Sequence, residues 1–305
     1  MPVQFYKYHA LGNDYIVMPA ARTATPPKRE TIRLLCHRHF GLGSDGILWG
    51  ALAPETPEFA ALADEAAAAE AHTITDSDCV CGLRIFNPDG SEAEKSGNGL
   101  RIFSRYLYDT GAVASGRFRL LTLGGVVTCE VLEDGREVRV DMGQVSFDAA
   151  RVPVTGVTGE VIECPIEVDG IEYLFNAATI GNPHCVIVCD DVSKELVCRI
   201  GPPLEVHSRF PNRTNVQILS VRDRRNLQIE IWERGAGYTL ASGSSASACA
   251  AVAHRLGLCD ESVTVHMPGG TLAIEIAEDY RIRMQGKVTG VARGEFLPEV
   301  SGRKM

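Results

Sequence analysis

Two serines stand 146 residues apart in matching surroundings, each at the mouth of a helix-like run. Ser96 opens Ser96-Gly97-Asn98-Gly99, and Ser242 opens Ser242-Gly243-Ser244-Ser245. At the same offset before them run Phe86-Asn87-Pro88-Asp89-Gly90 and Trp232-Glu233-Arg234-Gly235-Ala236-Gly237. Unpaired N–H groups at a helix N-terminus, aided by the helix dipole, favour an anion. Two such ends suit one carboxylate. If it belongs to an amino acid, Cα lies between the two side chains, so one can remove the α-proton while the other returns a proton from the opposite face. The oriented N–H groups then stabilise the charge that develops on the carboxylate as the proton leaves.

The elements that must position these serines repeat as well. Apolar runs at 100–108 and 246–256 each meet a glycine, Gly111 or Gly257, where a helix end calls for one. Leu11-Gly12-Asn13-Asp14-Tyr15 matches Ile180-Gly181-Asn182-Pro183-His184, and Gly124-Gly125 matches Gly269-Gly270. The period is far too long for a solenoid, so the reading is an internal duplication into two homologous domains with a cleft for one small ligand. The expected boundaries are 1–143 with 290–305 for the first domain and 144–289 for the second. Short β-branched runs at 138–141, 185–189, 227–232 and 263–266 predict strands, and helices are expected at 28–40, 193–200 and after each Ser-Gly. The class is α+β, two homologous domains, each a mixed, barrel-like sheet around one central helix. The first half carries a surplus at 51–78, rich in Ala, Glu and Pro, expected as a surface helix or loop without chemistry.

Composition narrows the partners. The chain has 305 residues, 45% hydrophobic and 23% charged, enough for two cores. A net charge of −9 with no basic run argues against nucleic acid and acidic membranes. No apolar stretch approaches a membrane span, and strand-like Val3-Gln4-Phe5-Tyr6 at the start argues against a cleaved leader. The expectation is a cytoplasmic protein whose partner is a small amino acid or dicarboxylate, with a homodimer left open. Of the ten cysteines none forms a C-x-x-C pair, and His37 and His39 are spaced wrongly to share a helix face, so no metal is expected. The cysteines read as small buried hydrophobes.

Each candidate has a plainer role. Asn13, Asn87 and Asn182 stand beside Gly or Pro, where asparagine commonly serves a turn. Ser96 and Ser242 could simply be N-caps, Glu233 and Arg234 an exposed strand-end pair, and His184 a satisfied core histidine. The repeat weighs against coincidence.

Taken together, the motifs resemble those of the diaminopimelate epimerases and related cofactor-independent amino-acid racemases. The resemblance spans Gly12-Asn13-Asp14, Arg38-His39-Phe40-Gly41, Asp45-Gly46, Phe86 to Ser91, Ser96 to Gly99, Gly181 to His184, Asn215-Val216, Glu233 to Gly237 and Met267 to Gly270. It implies a two-domain fold with no pyridoxal cofactor and an active site at the domain junction. It also implies substrate contacts from Asn13, Asn87, Asn182, Asn215, Glu233 and Arg234, with Gly97, Asn98, Gly243 and Ser244 at the helix ends.

Matching the motifs places the family's two catalytic cysteines at Ser96 and Ser242. A thiol can be tuned toward neutrality by a helix N-terminus, whereas a hydroxyl is a far weaker acid, and each pKa unit is worth about 1.4 kcal/mol. The serines therefore need help, for which His184 and Glu233 are the candidates, and activity is expected to follow a group titrating near neutrality. Tyr238 is a further departure, replacing the Glu usual after Gly-Ala-Gly. Three readings follow: an isomerase using serines with auxiliary bases, a non-catalytic amino-acid-binding paralogue, or an epimerase with both cysteines replaced by engineering. The altered neighbours Ser244-Ser245 and Tyr238 argue against the third, since trapping a ligand gives no reason to change them.

Overall fold

Alternating burial along Gly125–Val131, with Val127, Cys129 and Val131 inward, is what a strand covering a core on one face requires. Strands of this kind build both halves of the chain. The computed structural model describes residues 3–22, 25–70, 79–132, 134–297 and 299. The chain divides into two units, residues 1–140 with 286–305 and residues 141–285.

The first unit contains β1 (Val3–Ala10), β2 (Asn13–Pro19), β3 (Ile47–Leu52), β4 (Cys79–Phe86), β5 (Glu92–Ala93), β6 (Gly116–Thr122), β7 (Gly125–Val131), the start of β8 (Glu137–Gln144), and β18 (Thr289–Phe296). Its order is β18, β1, β2, β3, β4, β6, β7, β8; only β2–β3 and β4–β6 are parallel. The second unit contains β9 (Cys164–Val168), β10 (Ile171–Thr179), β11 (Pro183–Val188), β12 (Asn215–Asp223), β13 (Asn226–Glu233), β14 (Gly237–Thr239), β15 (Ser262–Met267), β16 (Gly270–Ile276) and β17 (Arg281–Lys287). Its order is β9, β10, β11, β12, β13, β15, β16, β17; only β11–β12 and β13–β15 are parallel. The two schemes agree pair for pair, as a duplication requires.

Each unit divides one strand between two partners. Residues Ile85 and Phe86 of β4 pair with β5, while its start pairs with β6. Likewise Ile231 to Glu233 of β13 pair with β14, and Asn226 to Gln228 with β15. The chain between the diverging partners is the central helix: α3 (Gly97–Asp109) in the first unit, α5 (Gly243–Arg255) in the second. Helix α3 packs against β1, β2, β3 and β7, and α5 against β10 to β13, β15 and β16, so each sheet curls round its helix. Both helices end in the same motif: Gly111 and Gly257 take positive φ, and the next residue donates to the carbonyl of Leu107 or Ala253.

Among the described residues three further α-helices of more than one turn lie outside these two. The first, α1 (Arg29–Cys36), stops four residues short of the expected Phe40, because the His37 side chain accepts from the N–H groups of His39 and Phe40 and turns the chain out of the helix. The surplus forms α2 (Pro57–Glu70), which buries Phe59, Leu62 and Ala66 and packs on β4, β6 and β7; it is a core-covering helix rather than a loop. Residues 71–78 of the surplus lie outside the described residues. The last outer helix, α4 (Lys194–Glu205), is capped by Ser193 and runs past the expected Ile200 through Pro202 and Pro203. All ten cysteines are free and seven are buried. Among the described residues no helix is long and apolar enough to cross a membrane.

Candidate functional site

Each unit presents one helix N-terminus of the same form. Ser96 has φ −140° and ψ 116°, and Ser242 has φ −143° and ψ 124°, the extended conformation of an N-cap. Ser96 Oγ accepts from Gly99 N at 3.0 Å, and Ser242 Oγ from Ser245 N at 3.5 Å. The expected capping role is thus real at both serines. It leaves the hydroxyl at the helix mouth, beside the first-turn N–H groups that have no partner within the helix.

In the first unit, Ser96 Oγ lies 3.3 Å from the hydroxyl of Tyr15. Beside it, Asn98 Nδ2 donates to Asn13 Oδ1 at 2.9 Å, and Asn13 Nδ2 donates to Asp45 Oδ2 at 3.0 Å. Behind Asn98 lies Arg101, fully buried, whose guanidinium donates to Asn98 Oδ1 and to the Gly97 carbonyl. The far end of this chain is an ionic cluster. Arg38 bridges Asp14 and Asp45 at 2.9 and 2.6 Å, and Lys7 pairs with Asp14. Burial works against the Asp14 carboxylate, yet the hydrogen bonds from Lys7 and Arg38 outweigh it and hold its pKa below the usual range; Asp45 is raised by burial. Asn87 behaves differently: its amide donates to Ser91 Oγ at 3.0 Å within the turn after β4, the turn role of asparagine.

In the second unit, Ser242 Oγ and Ser244 Oγ are 3.5 Å apart, and Asn182 Nδ2 reaches Ser244 Oγ at 3.5 Å. His184 is fully buried between two amides, with Asn182 Oδ1 3.0 Å from Nε2 and Gln217 Oε1 3.3 Å from Nδ1. Gln217 in turn donates to Ser245 Oγ at 3.0 Å. Burial pushes the His184 pKa down to about 3, so the ring is neutral at physiological pH. The expectation of a base titrating near neutrality is revised accordingly: His184 reaches Ser242 through other side chains, and the neutral ring, with one N–H, donates to one of the two amide oxygens that face it.

Asn215, buried, donates to the Pro183 carbonyl at 2.9 Å and accepts from Arg234 N at 3.0 Å, tying the ends of β11 and β13 together. Thr239 Oγ1 donates to Glu233 Oε2 at 3.1 Å across the β13–β14 hairpin, and Arg234, exposed, donates to the Asn212 carbonyl at 3.1 Å. Glu205 holds that hairpin from below, accepting from Trp232 Nε1 at 2.7 Å and Gly235 N at 2.9 Å. Tyr238 donates to Glu230 Oε2 at 2.9 Å and lies under the Lys194 ammonium, 4.6 Å from the ring centre. Among the described residues no three His, Cys, Asp or Glu side chains are gathered to hold a metal ion.

Sequence reasoning passed over Tyr15, Arg101, Gln217 and Glu205. Tyr15 did carry a signal, since it holds the repeat position that His184 holds in the other unit. Gln217 and Glu205 had none, because their partners are distant in sequence, whereas Arg101 bonds within its own helix, to the Gly97 carbonyl and the Asn98 side chain.

Comparison with known proteins adds to this geometry. The family model described as diaminopimelate epimerase matches residues 5–147 and 176–291. A protein of a Nostoc species named diaminopimelate epimerase 2 is 52% identical over 298 residues, 98% of this chain and 97% of its own. The diaminopimelate epimerase of Desulfitobacterium hafniense is 38% identical, over 97% and 99%. Among solved structures, a probable proline racemase from Agrobacterium radiobacter with bound carbonate aligns with a TM-score of 0.68 at 14% identity, over 98% and 95%. A hydroxyproline epimerase from Agrobacterium vitis with bound trans-4-hydroxy-L-proline gives 0.65 at 13%, over 99% and 98%. At such identities these two speak for the fold alone.

Proposed function

Because this chain belongs to the diaminopimelate epimerase family, we propose that it is a cofactor-independent isomerase that removes and returns a proton at the Cα of an amino acid, diaminopimelate before others. The observation that carries the reading is the shared geometry of Ser96 and Ser242, one N-cap hydroxyl over one helix N-terminus in each repeat. A two-base reaction needs two such groups, one to take the proton and one to deliver it. Backbone N–H groups at Gly97, Asn98, Gly243 and Ser244 would hold the α-carboxylate and stabilise the charge that builds on it. Asn13, Asn87, Asn182, Asn215, Glu233 and Arg234 are the proposed contacts to the rest of the substrate. A dicarboxylic diamino acid matches a set holding both an arginine and a glutamate. The reading puts the protein in cytoplasmic amino-acid metabolism, in the making of lysine.

Solvent deuterium exchange at Cα, followed by NMR over an amino-acid panel that includes every diaminopimelate stereoisomer, tests it. Exchange confined to diaminopimelate is expected, and restoring Cys at 96 and 242 should raise the rate. Binding without exchange on any member would instead assign a non-catalytic amino-acid-binding protein.

A further inference from the structure

Ser96 and Ser242 share a backbone conformation but not a neighbour. At the repeat position where the second unit has His184, the first has Tyr15, and only Tyr15 hydrogen-bonds directly to its serine. We propose that Tyr15 is the proton partner of Ser96, a positioning residue that supplies the acidity an alkyl hydroxyl lacks. This rests on the isomerase reading above.

Three observations converge on the phenol. The residue is almost wholly buried, 6% exposed, a setting in which a tyrosine hydroxyl normally finds a partner. The seat for the ring is built by an absence: a Cβ on Gly46 would lie 2.5 Å from Tyr15 Cε1 and 2.6 Å from the Phe86 carbonyl. The backbone on either side is pinned, with Asp14 N donating to Asp45 Oδ2 at 3.1 Å, Ser44 Oγ to the Asp14 carbonyl at 2.9 Å, and Ile16 N to the Gly46 carbonyl at 3.1 Å. A ring held this firmly presents its hydroxyl to Ser96 at a fixed place. Packing alone would be served as well by phenylalanine.

The chemistry balances without a further reagent. Ser96 Oγ accepts the Gly99 N–H, which leaves it free to donate toward Tyr15 or to accept from it. With Tyr15 ionised, the proton on Ser96 moves to the phenolate while the Cα proton moves to Ser96. The C–H electron pair stays on the substrate, and both side chains end neutral. In the return step the phenol gives its proton to Ser96 as the serine proton goes to Cα, and the charge comes back to Tyr15. A phenol, with an ordinary pKa of about 10, ionises far more readily than an alkyl hydroxyl. The second unit has no phenol at this position, so the two half-reactions differ in their dependence on pH.

Tyr15→Phe keeps the ring and removes only the hydroxyl, and 3-fluorotyrosine at position 15 keeps the hydroxyl and makes it more acidic. Deuterium exchange with LL- and meso-diaminopimelate is followed against pH for both variants. For Tyr15→Phe the expected result is a loss of roughly a hundredfold in the exchange rate at saturating substrate, with KM little changed and thermal stability kept. The fluorotyrosine protein is expected to exchange, with the alkaline-rising limb of its profile moved to lower pH. A Tyr15→Phe protein with the wild-type rate, or a fluorotyrosine protein with an unmoved limb, overturns the role of Tyr15 and leaves the isomerase reading standing. Absence of exchange by the wild type overturns both.

Discussion

Arg101 Nη2 donates to Asn98 Oδ1 at 2.5 Å from within the same helix, and this bond sets the direction of every amide beyond it. A guanidinium only donates and a carboxylate only accepts. With Arg101 at one end of the chain and Asp45 at the other, Asn98 and Asn13 between them each have one orientation. The arrangement opposes stability: Arg101 is fully buried, its Nη1 has no hydrogen-bond partner among the described residues, and burial lowers its pKa to about 9. Position 247, its equivalent in the other repeat, is a serine bonded to the Gly243 carbonyl at 2.8 Å, so the helix does not need a cation there.

Arg101→Met is therefore expected to hold or raise Tm while weakening diaminopimelate binding. Removing a buried, incompletely satisfied charge relieves its desolvation cost, whereas Asn98 and Asn13 lose the anchor that fixes them. Calorimetric melting and titration of the same variant separate the two effects. A Tm lower by many degrees would show that the two hydrogen bonds of Arg101 outweigh its burial.

His184 gives a pH signature of folding. Its folded pKa, about 3, lies below the ordinary 6.5, so between these values the unfolded chain binds a proton that the native state refuses. The sign follows: stability falls as pH drops from 6.5 toward 3, with a slope from this group of up to about 1.4 kcal/mol per pH unit. Urea unfolding at stepped pH values should show a shallower decline for His184→Gln, at the expense of lower stability at pH 7. An unchanged slope would mean that the ring takes a proton in the folded state.

How much of this was legible follows from where each signal resides. Ser96 and Ser242 were readable because N-cap preference and the glycine stops at Gly111 and Gly257 are local, and the repeat is a match of sequence to sequence that needs no contact. The early end of α1 was hidden because it depends on the His37 side chain competing for backbone N–H groups. Burial and titration of His184 come from strands far apart in the chain, which no local pattern reports. The difference between Tyr15 and His184 was visible in the sequence, but its meaning needed the 3.3 Å contact with Ser96.

Gly46→Ala tests the seat of Tyr15 without touching its hydroxyl. The added methyl would lie 2.5 Å from the ring and 2.6 Å from the Phe86 carbonyl, so the ring or the backbone beside it must shift. Overpacking of this kind costs roughly 1–3 kcal/mol. Chemical denaturation should register that loss, and the exchange rate should fall beyond what stability explains. A variant that loses stability yet keeps its exchange rate would show that the ring's position is unimportant.

Glu205 is the remaining lever, because it supports the Glu233-Arg234 hairpin without belonging to the proposed site. Its carboxylate, 5% exposed at the residue level, takes hydrogen bonds from Trp232 Nε1 and Gly235 N and pairs with Arg213. Glu205→Gln replaces one accepting oxygen with a donor that faces an N–H or the guanidinium, an unsatisfied arrangement worth about 1–3 kcal/mol. The hairpin should loosen, since its turn loses an anchor at Gly235 while Asn215 still holds Arg234 N. KM for diaminopimelate is then expected to rise more than the exchange rate at saturation falls, because the proposed substrate contacts Glu233 and Arg234 are displaced while the serine N-caps are not. Steady-state measurements on Glu205→Gln decide it: a fall at saturation with KM unmoved would detach the hairpin from substrate binding.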